Sequence, residues 1–303
     1  MNHDTTNEQG FAIRIIGERI NPGFKSTKAL FDNEDIAGIQ ALAVKQAEAG
    51  ASWLNINIGA RAKTDPQWMA SVIRAIQQVV SVPLSIDFPG KSVQAICLAA
   101  YDPAKAGGEL PIVNSITEHR WELMDLYGEH RFKVILMASE RVDEVDGKRV
   151  ALGNTTADEI YTTARRSALR LMQEHGMPAD HIFIDMSVSA VIADTERLNR
   201  STLDAIKLIG ADPDLAGVHM MGGLSNIGQQ LPPKAPDGSD LKHALECAFL
   251  TLAVPNGFDT VLGTPWRGYA PLPPDHYVMN AYMNFLEQSG TNALRAVRKF
   301  YRA

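Results

Sequence analysis

Eight short apolar runs, each of strand length and each followed by a longer stretch of helical period, constrain this chain more than any other feature. The runs lie near residues 12–16, 53–58, 84–87, 112–114, 133–137, 181–185, 217–221 and 258–262. Segments with apolar residues at helical spacing fill 34–49, 66–80, 92–101, 118–127, 156–175, 195–209 and 241–253. A strand that is apolar throughout must be buried on both faces, and alternation with helices gives repeated βα units on a parallel sheet. Asn33 and the pair Thr155–Thr156 stand where helix N-caps are expected, and Gly50, Gly176, Gly210 and Gly257 are expected just past the helices. Eight such units in 303 residues predict a single-domain (β/α)8 barrel rather than two doubly wound halves. No linker rich in Pro, Gly or Ser divides the sequence. We expect the barrel to span residues 11–270 and a helical extension to span 271–303.

Two segments exceed what the barrel needs. Residues 140–154 contain Val145-Asp146-Gly147-Lys148, a hairpin-turn signal flanked by alternating valines, and they follow the fifth strand run. That places the hairpin on the face where barrels build their sites, as a lid or a docking flap. In the C-terminal segment, Val278, Tyr282, Phe285, Leu286, Leu294, Val297 and Tyr301 have helical spacing. Two terminal helices are expected, packed on the barrel or on a second copy of the chain in a homodimer.

Composition narrows the function by exclusion. With 45% hydrophobic and 21% charged residues the chain is an ordinary globular one, and no apolar run reaches membrane-spanning length. The first ten residues are polar and acidic, so no signal peptide is expected and a cytoplasmic location is. A net charge of −6 gives no general attraction for nucleic acid, although Arg295, Arg298, Lys299 and Arg302 make the last turns basic. The two cysteines, Cys97 and Cys247, are far apart and support neither a disulfide framework nor a thiolate zinc site. Five histidines, His119, His130, His181, His219 and His243, raise the question of a metal-dependent hydrolase. Only His219 is expected near the end of a strand, too few for a metal site, and none is expected.

Four polar residues directly follow strand-like runs: Asp87, Asn114, Asp185 and Asn226. In a parallel barrel, residues at strand carboxyl ends converge on one mouth. An unpaired buried carboxylate is costly, so Asp87 and Asp185 each need a donor. Two carboxylates among amides suit a flat ligand with several N–H groups on one rim, such as a pteridine, whose amino-pyrimidinone edge offers adjacent donors. Taken singly, each residue could instead cap the helix that follows it.

The same residues sit in motifs that resemble the pterin-binding barrel family, and within it the methyltetrahydrofolate:corrinoid protein methyltransferases. Ile16-Gly17-Glu18-Arg19-Ile20-Asn21 is similar to that family's first-strand signature, and Leu54-Asn55-Ile56-Asn57-Ile58-Gly59 to its second. Ser85-Ile86-Asp87, Val113-Asn114-Ser115, Phe183-Ile184-Asp185 and Gly223-Leu224-Ser225-Asn226-Ile227-Gly228-Gln229 then match strands three, four, six and seven in order. The resemblance implies that Asn55, Asn57, Asp87, Asn114 and Asp185 line the pterin site, with Asp185 on the amino-pyrimidinone edge. It implies that Asn226 reaches N5, the atom that gives or receives a methyl group, and that Gln229 lines the same loop. Asn55 stands where the family more often has Asp, which removes a charge there.

What the resemblance implies chemically is methyl transfer between N5 of tetrahydrofolate and the cobalt of a corrinoid. Tetrahydrofolate or 5-methyltetrahydrofolate would be the substrate, and cobalamin would arrive on a partner. The Asp-x-His-x-x-Gly signature of corrinoid carriers does not occur in the sequence, so a separate corrinoid protein would dock over the mouth. Gly222, Gly223 and Gly228 would let the strand-seven loop approach or move. Two alternatives stand beside this reading: a dihydropteroate synthase-like transferase, and a folate-binding module without catalysis. The synthase needs cations for a pyrophosphate leaving group. The segment His219-Met220-Met221-Gly222-Gly223 lacks the basic residue that family places there, and Thr264-Pro265-Trp266-Arg267-Gly268 lacks its Arg-x-His pattern.

Overall fold

The protein is described here by a computed structural model that covers residues 10–302. Eight parallel strands close into a barrel: β1 (Arg14–Ile20), β2 (Trp53–Ile56), β3 (Leu84–Asp87), β4 (Ile112–Ile116), β5 (Lys133–Met137), β8 (Ile182–Asp185), β9 (His219–Gly223) and β10 (Phe258–Gly263). Each pairs with its neighbours in chain order, and β1 closes on β10 through Arg14–Thr260 to Gly17–Gly263. The two remaining strands, β6 (Glu140–Val145) and β7 (Lys148–Gly153), form a separate antiparallel hairpin after β5. Its turn is the expected Asp146-Gly147, both at positive φ (51° and 71°), the geometry that matches the twist of a two-residue hairpin.

The strands are buried along their length because they are covered twice. Inside the barrel, Ile16, Trp53, Ile112, Ile135, Phe183 and Met221 form a compact plug. Outside, a larger apolar shell joins the strands to the helices. The helix Pro66–Ile76 shows how: Asp65 caps the Trp68 N–H, Pro66 starts the first turn, and Trp68, Met69, Val72, Ile73 and Ile76 are buried. The longest helix, Ala157–His175, begins with a capping box in which Thr156 and Glu159 satisfy each other's backbone donors, as the Thr155–Thr156 signal suggested.

Local details depart from the sequence pattern where tertiary contacts decide them. The cap of the helix Ile36–Glu48 is Asp35, which accepts from Gly38 N at 2.9 Å, while Asn33 ends the short helix Lys28–Asp32. Gly210 is the last residue of the helix Leu198–Gly210 rather than a residue beyond it, and its lack of a side chain lets the Asn256 carbonyl approach. Residues 118–126 form a 3-10 segment kinked at Arg120 instead of an α-helix. His219 opens β9 at the strand's amino end, against Asp259 (2.7 Å) and with its ring tilted against Phe183, so it lies away from the mouth. Its expected place near a strand's carboxyl end is thereby corrected.

The two C-terminal helices, Tyr277–Leu286 and Gly290–Arg298, bury Val278, Tyr282, Phe285, Leu286 and Val297. They dock on the barrel's outer helices: the Tyr282 hydroxyl donates to Asn199 Oδ1, and Gly290 N to Thr195 O at 2.8 Å. Leu294 remains exposed. Among the described residues no helix is long and apolar enough to cross a membrane.

Candidate active site at the carboxyl mouth

Five polar side chains from β2, β3 and β4 meet in one hydrogen-bonded network. Asp87 ends β3, and its Oδ2 accepts from Asn55 Nδ2 at 2.9 Å and from Asn57 Nδ2 at 3.0 Å. The Asn55 carbonyl in turn accepts from Ser85 Oγ at 3.0 Å and from Asn114 Nδ2 at 3.2 Å. Register makes this possible: Asn55 pairs with Ser85 and Asp87 with Asn114 across adjacent strands. Burial pushes the Asp87 carboxyl above its ordinary range, while the two amide donors and the nearby Arg120 charge pull it down. Asn55 is 1% exposed, so its amide is fixed by these contacts and not by solvent. At a position where a carboxylate would sit 2.9 Å from Asp87, a neutral donor avoids like-charge repulsion.

Asp185 ends β8, two strands farther round, and pairs in register with Met137 and Met221. Its Oδ1 accepts from Ser187 N at 2.7 Å, and burial pushes its carboxyl up to about 6. Ser187 has φ of 51°, unusual for a residue with a side chain, in the tight turn where its N–H reaches back two residues to Asp185. No cation forms a salt bridge with Asp87 or Asp185 among the described residues. Both carboxylates therefore keep lone pairs for donors brought by a ligand.

The far side of the mouth is organised differently. Asn226 ends the short turn Leu224–Asn226 after β9 and is exposed; its Oδ1 accepts from Gln229 Nε2 at 2.7 Å. These two residues pair with each other, with no hydrogen bond to the Asp87 network. The glycines of this segment serve close packing: a Cβ on Gly222 would sit 2.8 Å from Val188, and one on Gly228 about 3 Å from Lys242.

Residue-by-residue reading missed Glu18. It lies on β1, is 7% exposed, and accepts from Ser225 Oγ at 2.9 Å and from Thr264 Oγ1 at 3.0 Å. Burial raises its carboxyl, and the two hydroxyl donors oppose that shift. Its place in the first-strand motif was visible, but its partners follow β9 and β10. Arg120 was also missed. Its kinked backbone sends the guanidinium to Ser115 Oγ at 3.1 Å and Met137 Sδ at 3.7 Å. Arg267 is held by Glu246 at 3.0 Å and Asp240 at 3.4 Å. Among the described residues no group of three or more His, Cys, Asp or Glu side chains is placed to hold a metal ion.

Comparison with known proteins agrees with this geometry. The family described as "Pterin binding enzyme" matches residues 18–262. A curated relative from Eubacterium limosum, named methylcorrinoid:tetrahydrofolate methyltransferase, is 26% identical over 83% of this chain and 84% of its own. Among solved structures, Xanthomonas albilineans dihydropteroate synthase with 4-aminobenzoic acid superposes with a TM-score of 0.54 at 19% identity, covering 85% of this chain and 88% of that one. The Stenotrophomonas maltophilia dihydropteroate synthase with imidazole bound in its active site gives 0.54 at 18% identity, covering 85% and 89%. At these identities the solved structures speak to the barrel alone.

Proposed function

Because the chain belongs to the pterin-binding enzyme family, we propose that it moves a methyl group between N5 of tetrahydrofolate and the cobalt of a protein-bound corrinoid. The curated relative's name supports this reaction. The observation that carries it is the neutral, exposed Asn226–Gln229 pair on the loop after β9. A synthase expelling pyrophosphate needs cations there. The Asn226–Gln229 turn carries amides, the exposed Lys234 lies farther along the loop, and Arg267 on the next loop is already neutralised by Glu246 and Asp240.

In this reading the pterin lies across the mouth with its donor-rich edge on Asp185 and its other rim on Asn114 and Asp87. Asn55 and Asn57 hold Asp87 in place rather than competing for the ligand. N5 then faces Asn226. Toward cobalt, the N5–CH3 bond breaks as the cobalt electron pair attacks carbon, and the amine leaves only if N5 carries a proton or strong hydrogen bond. Gln229 occupies one lone pair of the Asn226 carbonyl. A second lone pair remains for a protonated N5–H, so Asn226 stabilises charge by a fixed dipole without transferring a proton itself. Toward folate, the N5 lone pair attacks the methyl carbon, the electron pair of the Co–C bond stays on cobalt, and N5 releases a proton. Either direction uses the same geometry, because the displacement is in line and the protein's task is positioning. The corrinoid arrives on a separate protein that covers the mouth, and Met283 and Leu294, exposed on the terminal helices, suit a homodimer contact.

The test supplies 5-methyltetrahydrofolate and cob(I)alamin anaerobically, with a parallel incubation of 4-aminobenzoate and pterin pyrophosphate. Methylcobalamin formed only with enzyme supports the proposal. Dihydropteroate formed instead would replace it with the synthase reading. Saturable folate binding without transfer, even to a protein-bound corrinoid, would favour the binding module.

A further inference from the structure

The side of the mouth that holds Asn226 contains a nine-tenths-buried carboxylate, Glu18, that the proposed chemistry leaves unused. Glu18 projects from β1 between two loops that have no sequence proximity to it. Its two carboxylate oxygens divide between them: Oε2 takes the Ser225 hydroxyl, Oε1 the Thr264 hydroxyl. Ser225 is the residue before Asn226, and Thr264 directly follows β10. Backbone contacts frame the same corner. Gln229 N donates to Asn226 O at 3.1 Å, and Thr264 N donates to the Tyr269 hydroxyl at 3.2 Å. Glu246 and Arg19 lie close enough for their charges to act on Glu18 in opposite senses, Glu246 is itself engaged by Arg267, and the hydrogen bonds to the Glu18 carboxylate come from the two hydroxyls.

Burying a carboxylate is costly, and an apolar pair of strand ends would bridge the same gap at no such cost. The arrangement gains geometry: two charge-assisted hydrogen bonds fix where the Asn226 loop stands relative to β1 and β10. We propose that Glu18 is a positioning residue for methyl transfer, holding Asn226 at the reacting nitrogen through Ser225 and Thr264. This rests on the proposed function for its kinetic consequence, and on the geometry alone for the position of the loop. A displacement of about 1 Å at a reacting group can cost on the order of 10²-fold in rate. Glu18 does not touch the Asp87–Asn55–Asn114 network. Pterin affinity is therefore expected to survive its removal.

The experiment compares wild type, Glu18→Ala, Glu18→Gln and Ser225→Ala by hydrogen exchange, folate affinity and the rate of methyl transfer. For Glu18→Ala, amides of residues 222–229 should exchange faster while those of the β6–β7 hairpin do not change. The transfer rate should fall on the order of 10²-fold with the folate Kd within about threefold. Glu18→Gln keeps an acceptor and a matching shape, so it should retain a protected loop and a rate within about tenfold of wild type. Combining Glu18→Ala with Ser225→Ala should add little to Glu18→Ala alone, since Ser225→Ala removes one of the two contacts already lost in Glu18→Ala. Unchanged exchange at 222–229 in Glu18→Ala overturns the proposal whatever the enzyme's activity proves to be. Equal losses of affinity and rate would mark Glu18 as general fold support and also overturn it. A protected loop in Glu18→Gln with a rate as low as in Glu18→Ala would do the same, because charge and not position would then matter. Absence of methyl transfer in wild type contradicts the proposed function; in that event faster exchange at 222–229 in Glu18→Ala upholds the loop contact, and unchanged exchange overturns it.

Discussion

The two sides of the barrel mouth solve different problems. On the β2–β4 side, Asp87, Asn55, Asn57, Asn114 and Ser85 bond to one another, and Asn55 is 1% exposed. On the β9–β10 side, Asn226 and Gln229 are exposed and bond only as a pair, with a buried carboxylate beneath them. A site for one flat ligand needs a rim prepared in advance, because every polar group it buries must already have a partner or be owed one by the ligand. A site that must also admit a second, bulky substrate needs an open rim. Under the proposed function, affinity and transfer would be housed in separate arcs, with Asp185 between them, so single substitutions should separate the two quantities.

Four substitutions or titrations break or sharpen that division. The largest effect is expected for Asn226→Ala: methyl transfer should slow by about 10² to 10³-fold, as when one donor or acceptor to a developing charge is removed, with pterin affinity little changed. Equal losses in rate and affinity would erase the distinction between the arcs. Asp185→Asn comes next. It turns one acceptor into a donor facing the ligand's N–H groups, and affinity by equilibrium titration should fall by roughly ten- to a hundredfold. Unchanged affinity would remove Asp185 from the site. Asn55→Ala strips a donor from Asp87 and an acceptor from Ser85 and Asn114, which should cost about 1–3 kcal/mol of stability in denaturant melts and weaken pterin binding. If only stability falls, the network is a strut of the barrel and not a prepared rim.

The smallest effect is a pH dependence. Asp185 is pushed up to about 6 in the folded protein from an ordinary 3.8, so the folded state binds its proton more tightly than the unfolded one. The stability this group contributes is therefore full below about pH 4 and lost as pH rises through 6. Asp185→Asn should accordingly melt at a higher temperature than wild type at pH 8 and gain nothing at pH 4, a stability gain made at the expense of function. Pterin affinity should run the opposite way in wild type, falling below pH 6 as Asp185 is protonated, with a shallower fall in Asp185→Asn. Melting temperatures that differ equally at both pH values would show that Asp185 titrates normally.

Much of this was legible in the sequence because strands buried on both faces advertise themselves as unbroken apolar runs. The residue that ends such a run, Asp87 or Asp185, is marked by the break itself. The hairpin turn was legible because Asp146-Gly147 supplies the positive φ values that the turn demands. The Asn55–Asp87 bond was not, since it depends on strand register that no local pattern encodes. Glu18 is the strongest case: its partners lie 207 and 246 residues away, and only closure of β1 onto β10 brings them together. Arg120 escaped because its segment has helical period, whereas the chain there follows the Thr117 cap into a kinked 3-10 turn.

The most direct measurement of the central claim mixes the purified protein anaerobically with methylcobalamin and tetrahydrofolate and follows the cobalamin spectrum while assaying methyltetrahydrofolate, with Asn226→Ala alongside. Enzyme-dependent loss of methylcobalamin matched mole for mole by methyltetrahydrofolate, and slowed in Asn226→Ala without loss of folate binding, is the result predicted here. Loss of methylcobalamin at the same rate in Asn226→Ala, or no transfer in either direction when protein-bound corrinoid is supplied, would contradict it.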